Sequence, residues 1–276
     1  MNQAAETLNI TIVQTTLRWE DKQANLSMLE EKIHAVKDRM EIVVLPEMFS
    51  TGFSMRPELL AEKMDGAAVE WMKRLSASLK IILVGSLIIE ENGNYFNRLI
   101  WMMPNGENGH YDKRHLFAYA GEDKHYAAGN KRLIASVKGW KLNLQVCYDL
   151  RFPVWARQSV PLKVPAEDKA VEPEYDVLVY VANWPERRNH AWKTLLQARA
   201  IENQCYVVGV NRVGNDGNDI YHSGDSMIID PLATILYNAA DREEIFTYSL
   251  RFDNLSAVRT KLPFLRDADP FMIGNY

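Results

Sequence analysis

The recurring order of strand-length apolar runs and segments with helical periodicity constrains this fold more than any other feature of the sequence. In the first half we predict a strand at 8–15, a helix at 21–40, a strand at 41–47, a helix at 67–79 and a hairpin with an Asn92-Gly93 turn. In the second half we predict strands at 133–137 and 141–147, a short helix entered at Pro153, a strand at 176–183, a helix at 190–203 and two further strands. Because the plan β-α-β-α-β-β is given twice, the sequence predicts a layered α/β fold with two similar halves.

The length and composition of the chain favour one domain. It has 276 residues, of which 47% are hydrophobic, so it can bury a sizeable core, and α/β folds of this length often form one unit. A segment at 160–173 that is rich in Lys, Glu and Pro is predicted to be a surface loop, and no low-complexity stretch or linker divides the sequence. We therefore predict a single domain over residues 1–276.

Charge, hydropathy and cysteine usage argue against several classes of protein. A net charge of −4 with scattered Lys and Arg gives no basic face, which argues against nucleic-acid binding. The N-terminus lacks the pattern of a signal peptide, and the longest apolar run, at 81–89, is far shorter than the roughly 20 residues of a membrane-spanning helix. The two cysteines, Cys147 and Cys205, form no CxxC pair and have no histidine at metal-ligand spacing. We therefore expect no zinc site, no disulfide and a reducing, cytoplasmic location.

Three chemically different residues stand at comparable exits from predicted strands. Glu47 ends the apolar run IVVLP, Cys147 ends LNLQV, and Lys113 follows the hairpin in YDKRHLF. In an α/β sheet, functional groups gather beyond the carboxyl ends of the strands, so these three side chains are expected to converge. Taken alone, Cys147 also suits a small buried residue, Glu47 a strand cap and Lys113 a surface charge.

Together, the three residues would support acyl transfer through a thioester without a histidine. A thiol becomes a good nucleophile when it is deprotonated, and Glu47 could take its proton. The ammonium of Lys113 could stabilise the thiolate and then the oxyanion, and the backbone N–H of Tyr148, directly after Cys147, could supply a second donor. This chemistry needs no metal or organic cofactor, and we expect none.

The residues around these positions resemble the nitrilase superfamily, the carbon–nitrogen hydrolases. LPEMFSTGF resembles the glutamate segment of that family, YDKRHLF its lysine segment and CYDLRFPVW its cysteine segment, in the order in which the family has them. The similarity continues through ANWPERRNHAWKTLLQARAIENQCYVVGVNRVG and HSGDSMIIDPLATIL, so it covers nearly the whole chain. The resemblance implies a four-layer α-β-β-α sandwich with Glu47, Lys113 and Cys147 as the catalytic triad.

A second glutamate follows the lysine in many members of the superfamily, where it helps to position the lysine or the attacking water. Glu122, in AGEDKHY, is predicted for this supporting role because it precedes a glycine-containing turn. Asp123 is the second candidate, and an exposed loop acid is the other interpretation of Glu122.

The lysine and cysteine segments look most like the ω-amidase branch, which hydrolyses the terminal amide of short dicarboxylate monoamides such as 2-oxoglutaramate and 2-oxosuccinamate. An arginine binds a free carboxylate well through its bidentate fork, and Arg151 lies four residues after Cys147. Related carbamylases use an arginine at this offset for the substrate carboxylate; alternatively, Arg151 pairs with Asp149 or another acid and braces the loop. Phe117 and Trp184 are predicted to form apolar walls of the pocket.

Two other functions stay open on sequence grounds. A nitrilase or aliphatic amidase of the same fold would be distinguished by its activity on an amide and on the matching nitrile. A catalytically silent dimeric scaffold is the alternative of another class, and the presence of all three triad residue types argues against it. The resemblance also implies a homodimer, with the tail at about 261–276 at its interface.

Overall fold

The computed structural model of the chain describes residues 4–158 and 173–274. Its strands are β1 (Thr7–Gln14), β2 (Ile42–Val44), β3 (Ile82–Glu91), β4 (Asn94–Met102), β5 (Asn108–Asp112), β6 (Leu133–Val137), β7 (Trp140–Val146), β8 (Val177–Ala182), β9 (Tyr206–Asn211), β10 (Val213–Asn215), β11 (Tyr221–Ile229), β12 (Ile235–Ala240) and β13 (Glu244–Arg251). Its α-helices are α1 (Lys22–His34), α2 (Pro57–Leu60), α3 (Ala67–Leu79), α4 (Pro153–Ala156), α5 (Asn189–Asn203) and α6 (Phe252–Lys261). None of the helices in these ranges has the length and apolar character that crossing a bilayer requires.

Two mixed β-sheets repeat the same strand arrangement within the described residues. In the first sheet β1, β2 and β3 run parallel, β4 and β5 continue it antiparallel beyond β3, and β13 pairs antiparallel with β1. In the second sheet β7, β8 and β9 run parallel, β11 and β12 continue it antiparallel beyond β9, and β6 pairs antiparallel with β7. The short strand β10 adds to β11. The order of elements that the sequence predicts twice thus corresponds to two sheets with the same strand topology.

The alternation of side chains along the strands divides the molecule into layers, because successive residues of a strand point to opposite faces. Ile42 and Val44 of β2 belong to the core between the two sheets, together with Leu142 of β7. Val43 belongs instead to a separate core with Leu75 of α3, on the outer side of the first sheet. Each strand in the middle of this sheet is therefore apolar on both faces, which explains its continuous apolar sequence.

Helix α5 covers the outer face of the second sheet by packing on β9 and β11. A Cβ atom at Gly209 of β9 would come within 2.6 Å of Leu196 and 2.8 Å of Trp192 on this helix, so the close approach requires a glycine. With α1 and α3 on the outer face of the first sheet, the order of layers is helices, sheet, sheet, helix. The expected α-β-β-α sandwich is confirmed.

Most of the predicted elements agree with the structure, and the differences have local causes. The hairpin turn forms at Asn92-Gly93, and both residues have the positive φ values, 52° and 77°, that this tight turn demands. The helix predicted over 21–40 ends at His34, because the apolar face stops at Ile33 and residues 37–39 are exposed. Strands β5 and β13 and helices α2 and α6 were not predicted. The two strands predicted over 205–214 and 226–237 correspond to four strands, because β10 is separate from β9 and a turn at 230–233 separates β11 from β12. The loop predicted at 160–173 lies outside the described residues, except for its last position.

Candidate active site

Glu47 lies just beyond the carboxyl end of β2, where Leu45 and Pro46 lead the chain out of the first sheet. Its side chain is fully buried, and each carboxylate oxygen accepts hydrogen bonds from specific donors. Oε1 accepts from the ammonium of Lys113 at 2.9 Å and from the amide of Asn97 at 2.8 Å. Oε2 accepts from the backbone N–H of Asn183 at 2.8 Å. The orientation of this carboxylate is therefore fixed by three donors from three different strands or strand ends.

Lys113 directly follows β5, and its backbone N–H donates to the carbonyl of Asn97 on the neighbouring strand β4. Its ammonium is buried and donates to Glu47 and to both oxygens of Glu122, at 2.9 to 3.0 Å. The nitrogen also lies 5.0 Å from the centroid of the Phe53 ring. Burial by itself lowers the pKa of Lys113, but the two carboxylates outweigh it and raise this pKa, so the side chain is a permanent cation.

Glu122 lies in a short 3-10 helix (Glu122–Lys124) and is fully buried, so it is not an exposed loop acid. Besides Lys113, its carboxylate accepts from the backbone N–H of Phe117 and from the amide of Asn97. Burial raises the pKa of Glu122, with Lys113 opposing the shift. Asp123, the second candidate, is exposed. The structure thus brings Glu122, and not Asp123, into contact with the lysine.

Cys147 follows the last residue of β7 and opens a 3-10 helix (Cys147–Arg151). Its φ is +45°, in the left-handed region that few residues other than glycine adopt, so the chain turns sharply at the sulfur-bearing position. Burial first, and then the charge of Glu47, raise the pKa of the Cys147 thiol well above its usual range, while Lys113 opposes the shift. Burial and the charge of Glu47 thus favour the neutral thiol, beside a carboxylate that can accept its proton. The N–H of Tyr148 belongs to the first turn of the helix, whose N–H groups have no partner within it.

Asp149 joins the cysteine loop to the lysine loop. Its buried carboxylate accepts from the N–H of Val146 at 3.1 Å and from the hydroxyl of Tyr111 at 2.7 Å. It also accepts from the N–H of His115 at 2.9 Å, and it lies 2.8 Å from Nδ1 of the same residue. Each carboxylate oxygen of Asp149 therefore has two polar contacts. The predicted alternative in which Arg151 pairs with Asp149 is therefore not what the structure shows.

A cavity of about 270 Å³ opens above the thiol. Phe53, Phe117, Cys147, Tyr148, Arg151, Asn183, Trp184 and Arg188 are among the residues that line it. The rings of Phe117 and Trp184 lie at this cavity, and the guanidinium of Arg151 lies 4.9 Å from the centroid of the Trp184 ring. The volume of the cavity suits a small molecule. Its walls are mainly apolar and include the guanidinium of Arg151, four residues after Cys147.

Three residues of the site were missed by the sequence reasoning. Asn97 lies within strand β4 and donates to both Glu47 and Glu122, and nothing in its local sequence marks it as functional. Asn183 follows β8 in the same way that Cys147 follows β7, so the strand-exit argument could have found it. Arg188 reaches the cavity from the short helix after Trp184.

The sequence profile of the carbon–nitrogen hydrolase family matches residues 9–260. The chain belongs to this family. Among known members, the omega-amidase YafV of Yersinia enterocolitica is 39% identical over 97% of this chain and 99% of its own length. The 2-oxoglutaramate amidase of Bacillus subtilis is 29% identical over 94% of this chain and 96% of its own. The resemblance to the nitrilase superfamily and its ω-amidase-like branch is confirmed.

A solved carbon–nitrogen hydrolase supports the same fold. The crystal structure of XC1258 from Xanthomonas campestris, a CN-hydrolase superfamily protein with an arsenic adduct in the active site, is 40% identical. It superposes with a TM-score of 0.93 over 98% of this chain and all of its own. The layered fold described above is thus the fold of this family, and the chain is a hydrolase of carbon–nitrogen bonds.

Proposed function

We propose that this hydrolase is an ω-amidase, which releases ammonia from the terminal amide of a short dicarboxylate monoamide such as 2-oxoglutaramate or 2-oxosuccinamate. The observation that carries the proposal is a small cavity lined by the thiol of Cys147 and the guanidinium of Arg151, with the buried Glu47–Lys113 ion pair beside the thiol. The two relatives named above, an omega-amidase and a 2-oxoglutaramate amidase, support the same substrate class.

The catalytic step assigned to Cys147 is attack on the amide carbonyl. Glu47 takes the thiol proton as sulfur bonds to carbon, since the raised pKa of Cys147 makes a free thiolate costly before substrate binds. The oxygen of the tetrahedral intermediate is stabilised by the ammonium of Lys113 and by the N–H of Tyr148. The protonated Glu47 then gives its proton to the departing nitrogen, which leaves ammonia and a thioester.

Hydrolysis of the thioester uses the same groups in a second round. Glu47 accepts a proton from a water molecule, whose oxygen attacks the thioester carbonyl. The proton returns to sulfur as the carbon–sulfur bond breaks, so the acid product leaves and the thiol is restored. Glu122 is the supporting residue: through Lys113 it holds the ammonium charged and in place during both rounds.

Substrate placement is assigned to Arg151, Phe117 and Trp184. The aromatic rings cover the methylene groups of a short substrate, and the guanidinium of Arg151 binds the carboxylate at its far end. Arg151 has no carboxylate partner among the described residues, so its charge is available to an anionic ligand.

We further propose that residues 1–276 form one domain, that the protein is a cytoplasmic homodimer and that the tail at about 261–276 contributes to the interface. The exposed apolar side chains of Phe264 and Met272 in this tail support that placement. Truncation after Lys261 should shift the molar mass measured by light scattering towards that of a monomer. An unchanged mass would remove the tail from the interface.

The proposed activity is tested by ammonia release from 2-oxosuccinamate, succinamate, butanamide and butanenitrile. An ω-amidase hydrolyses the first two best and leaves the nitrile intact. Activity on the nitrile with none on the amides would make the chain a nitrilase. An inert Cys147 thiol together with no hydrolysis of any substrate would favour the silent scaffold.

A further inference from the structure

Arg188 is a cavity residue that the triad chemistry does not use. Its half-buried guanidinium lies over the face of Phe117, with 5.1 Å between the guanidinium carbon and the ring centroid. It lines the same cavity as Cys147 and Arg151. Arg151 and Arg188 each lie on an aromatic face, which leaves the edges of their guanidinium planes, where the N–H donors are, for other partners; Arg187, which also lines the cavity, is exposed.

The aromatic rings under the two arginines are tied to the catalytic groups. The N–H of Phe117 donates to Glu122, and its ring lies 4.9 Å from that of Tyr148, next to the nucleophile. The indole N–H of Trp184, whose ring lies under Arg151, donates to the carbonyl of Arg188 at 2.9 Å. The position of Arg188 is thus fixed relative to the thiol.

Some buried arginines among the described residues have a carboxylate partner, whereas the fully buried Arg212 donates to backbone carbonyls instead. Arg98 pairs with Asp112 at 2.7 Å, and Arg259 pairs with Asp176 at 2.6 Å. Among the residues that the structure describes, no carboxylate pairs with Arg188 or with Arg151. Asp216 also lines the cavity but forms no ion pair with either arginine. Two neighbouring cations without a direct ion-pair partner are unfavourable by themselves, and an anion bound between them offsets that cost.

The electrostatics of Arg188 agree with this geometry. Burial first, then the positive charge of Arg187, lower the pKa of Arg188, and Arg151 acts in the same direction. Arg188 and Cys147 line the same cavity, so the guanidinium lies near the nucleophile. A short substrate attached at the thiol therefore has its far end within the field of both arginines.

We propose that Arg188 is a specificity-determining residue that binds the free end of the substrate together with Arg151. The inference rests on the ω-amidase function proposed above. Two planar guanidiniums supply enough N–H donors for a carboxylate and for an oxygen on the adjacent carbon, which is the far end of a 2-oxo acid. A 2-ammonium group would instead be repelled by both cations, so the cavity selects against the 2-amino counterparts.

The test compares four substrates of equal length in wild-type protein and in Arg188→Gln. They are 2-oxosuccinamate, succinamate, L-asparagine and butanamide. We expect kcat/KM for 2-oxosuccinamate to fall about 10- to 100-fold, the loss typical of one hydrogen-bonded charge. Butanamide has no charged end, so its kcat/KM should change by less than about threefold. The ratio of asparagine to 2-oxosuccinamate turnover should rise.

Two further variants control for charge and for packing. Arg39→Gln removes the same charge from an exposed arginine that does not line the cavity, and it should leave the ratio of 2-oxosuccinamate to butanamide turnover within about threefold of wild type. Arg188→Lys keeps the charge but not the planar fork, and it should retain part of that ratio. An equal loss for butanamide and 2-oxosuccinamate in Arg188→Gln would overturn the inference, because Arg188 would then only support the Phe117 ring.

Binding to a protein that cannot turn substrate over gives a separate measurement. In Cys147→Ala, calorimetry should show weaker binding of 2-oxosuccinamate when Arg188→Gln is added, by about the same factor as in the kinetics. Unchanged binding would also overturn the inference. The two proposals fail differently: wild-type protein without preference for carboxylated amides refutes the ω-amidase function, whereas a preference that survives Arg188→Gln refutes only the role of Arg188.

Discussion

Replacement of Glu122 by glutamine removes one charge from the buried cluster while nearly keeping the shape of the side chain. Each carboxylate oxygen of Glu122 accepts two hydrogen bonds: Oε1 from Lys113 and Asn97, and Oε2 from Lys113 and Phe117. A glutamine amide nitrogen must occupy one of these two positions. In either orientation it faces Lys113 and one further N–H donor, so hydrogen bonds are lost and a buried donor stays unsatisfied.

The magnitude follows from the contacts that change. Removal of one partner of a buried ion pair typically costs about 3–5 kcal/mol, and Lys113 keeps Glu47 as a counter-charge. We therefore expect the free energy of unfolding of Glu122→Gln to fall by about 3 kcal/mol. Without its second anchor the ammonium moves towards Glu47 and away from the developing oxyanion. Loss of such a donor lowers kcat by about 10²- to 10³-fold, with a smaller change in KM.

The thiol should respond in the opposite direction. The charge of Glu122 contributes to the raised pKa of Cys147, so its removal lowers this pKa and speeds alkylation at neutral pH. The experiment measures ammonia release and the rate of iodoacetamide labelling on the same samples, well below the midpoint of thermal unfolding. Faster labelling together with slower turnover would show that Lys113 is displaced while Cys147 is still reactive.

Asp123→Asn is the matched control, since it removes an acid from the next position, which is exposed. It should change kcat by less than about twofold and leave labelling unchanged. If Glu122→Gln kept kcat within about threefold of wild type, the role assigned to Glu122 would be refuted. Equal effects of the two variants would mean that the negative charge of the loop affects the reaction and that the contact of Glu122 with Lys113 does not.

Four other predictions follow from the site and its surroundings. Cys147→Ala and Cys147→Ser should abolish ammonia release without loss of the fold, as near-UV circular dichroism can check, and appreciable turnover by Cys147→Ala would contradict the mechanism. Arg151→Met should lower kcat/KM for a carboxylated amide by about two orders of magnitude and spare butanamide; equal losses on both would mean that Arg151 only braces its loop. A chelator should leave activity unchanged, because Lys113 and Tyr148 already serve the oxyanion, and metal-restored activity would disprove this. The bidentate bond from Arg74 lowers the pKa of Glu30 to about 2. Glu30→Gln should therefore cost about 1 kcal/mol of stability in urea at pH 7, and the difference from wild type should disappear as the pH falls from about 4.5 towards 2.

Glu47 and Cys147 could be singled out from the local sequence because each stands where an apolar run ends, whereas Lys113 follows β5, which was not predicted, and stood out through the resemblance of YDKRHLF to the lysine segment of the family. Parallel strands bring their carboxyl ends to one edge of a sheet, and the sandwich brings the edges of two sheets together. Asn97 has no such signal, because it lies in the middle of the strand β4 and reaches Glu47 and Glu122 only through the pairing of the strands around it. Strand β13 was missed for a related reason. It completes the first sheet by pairing with β1 at the other end of the chain, and local periodicity carries no information about a partner so distant.

The segment CYDLR places Cys147 on a sharp turn and also joins that turn to the loop that carries Lys113. The left-handed backbone at Cys147 costs about 1–3 kcal/mol, and such a conformation persists only where its surroundings hold it. Asp149 supplies that support, because it binds the N–H of Val146 just before the turn. The same carboxylate accepts from the N–H of His115, two residues after Lys113. One buried acid thereby links the loops that carry Cys147 and Lys113.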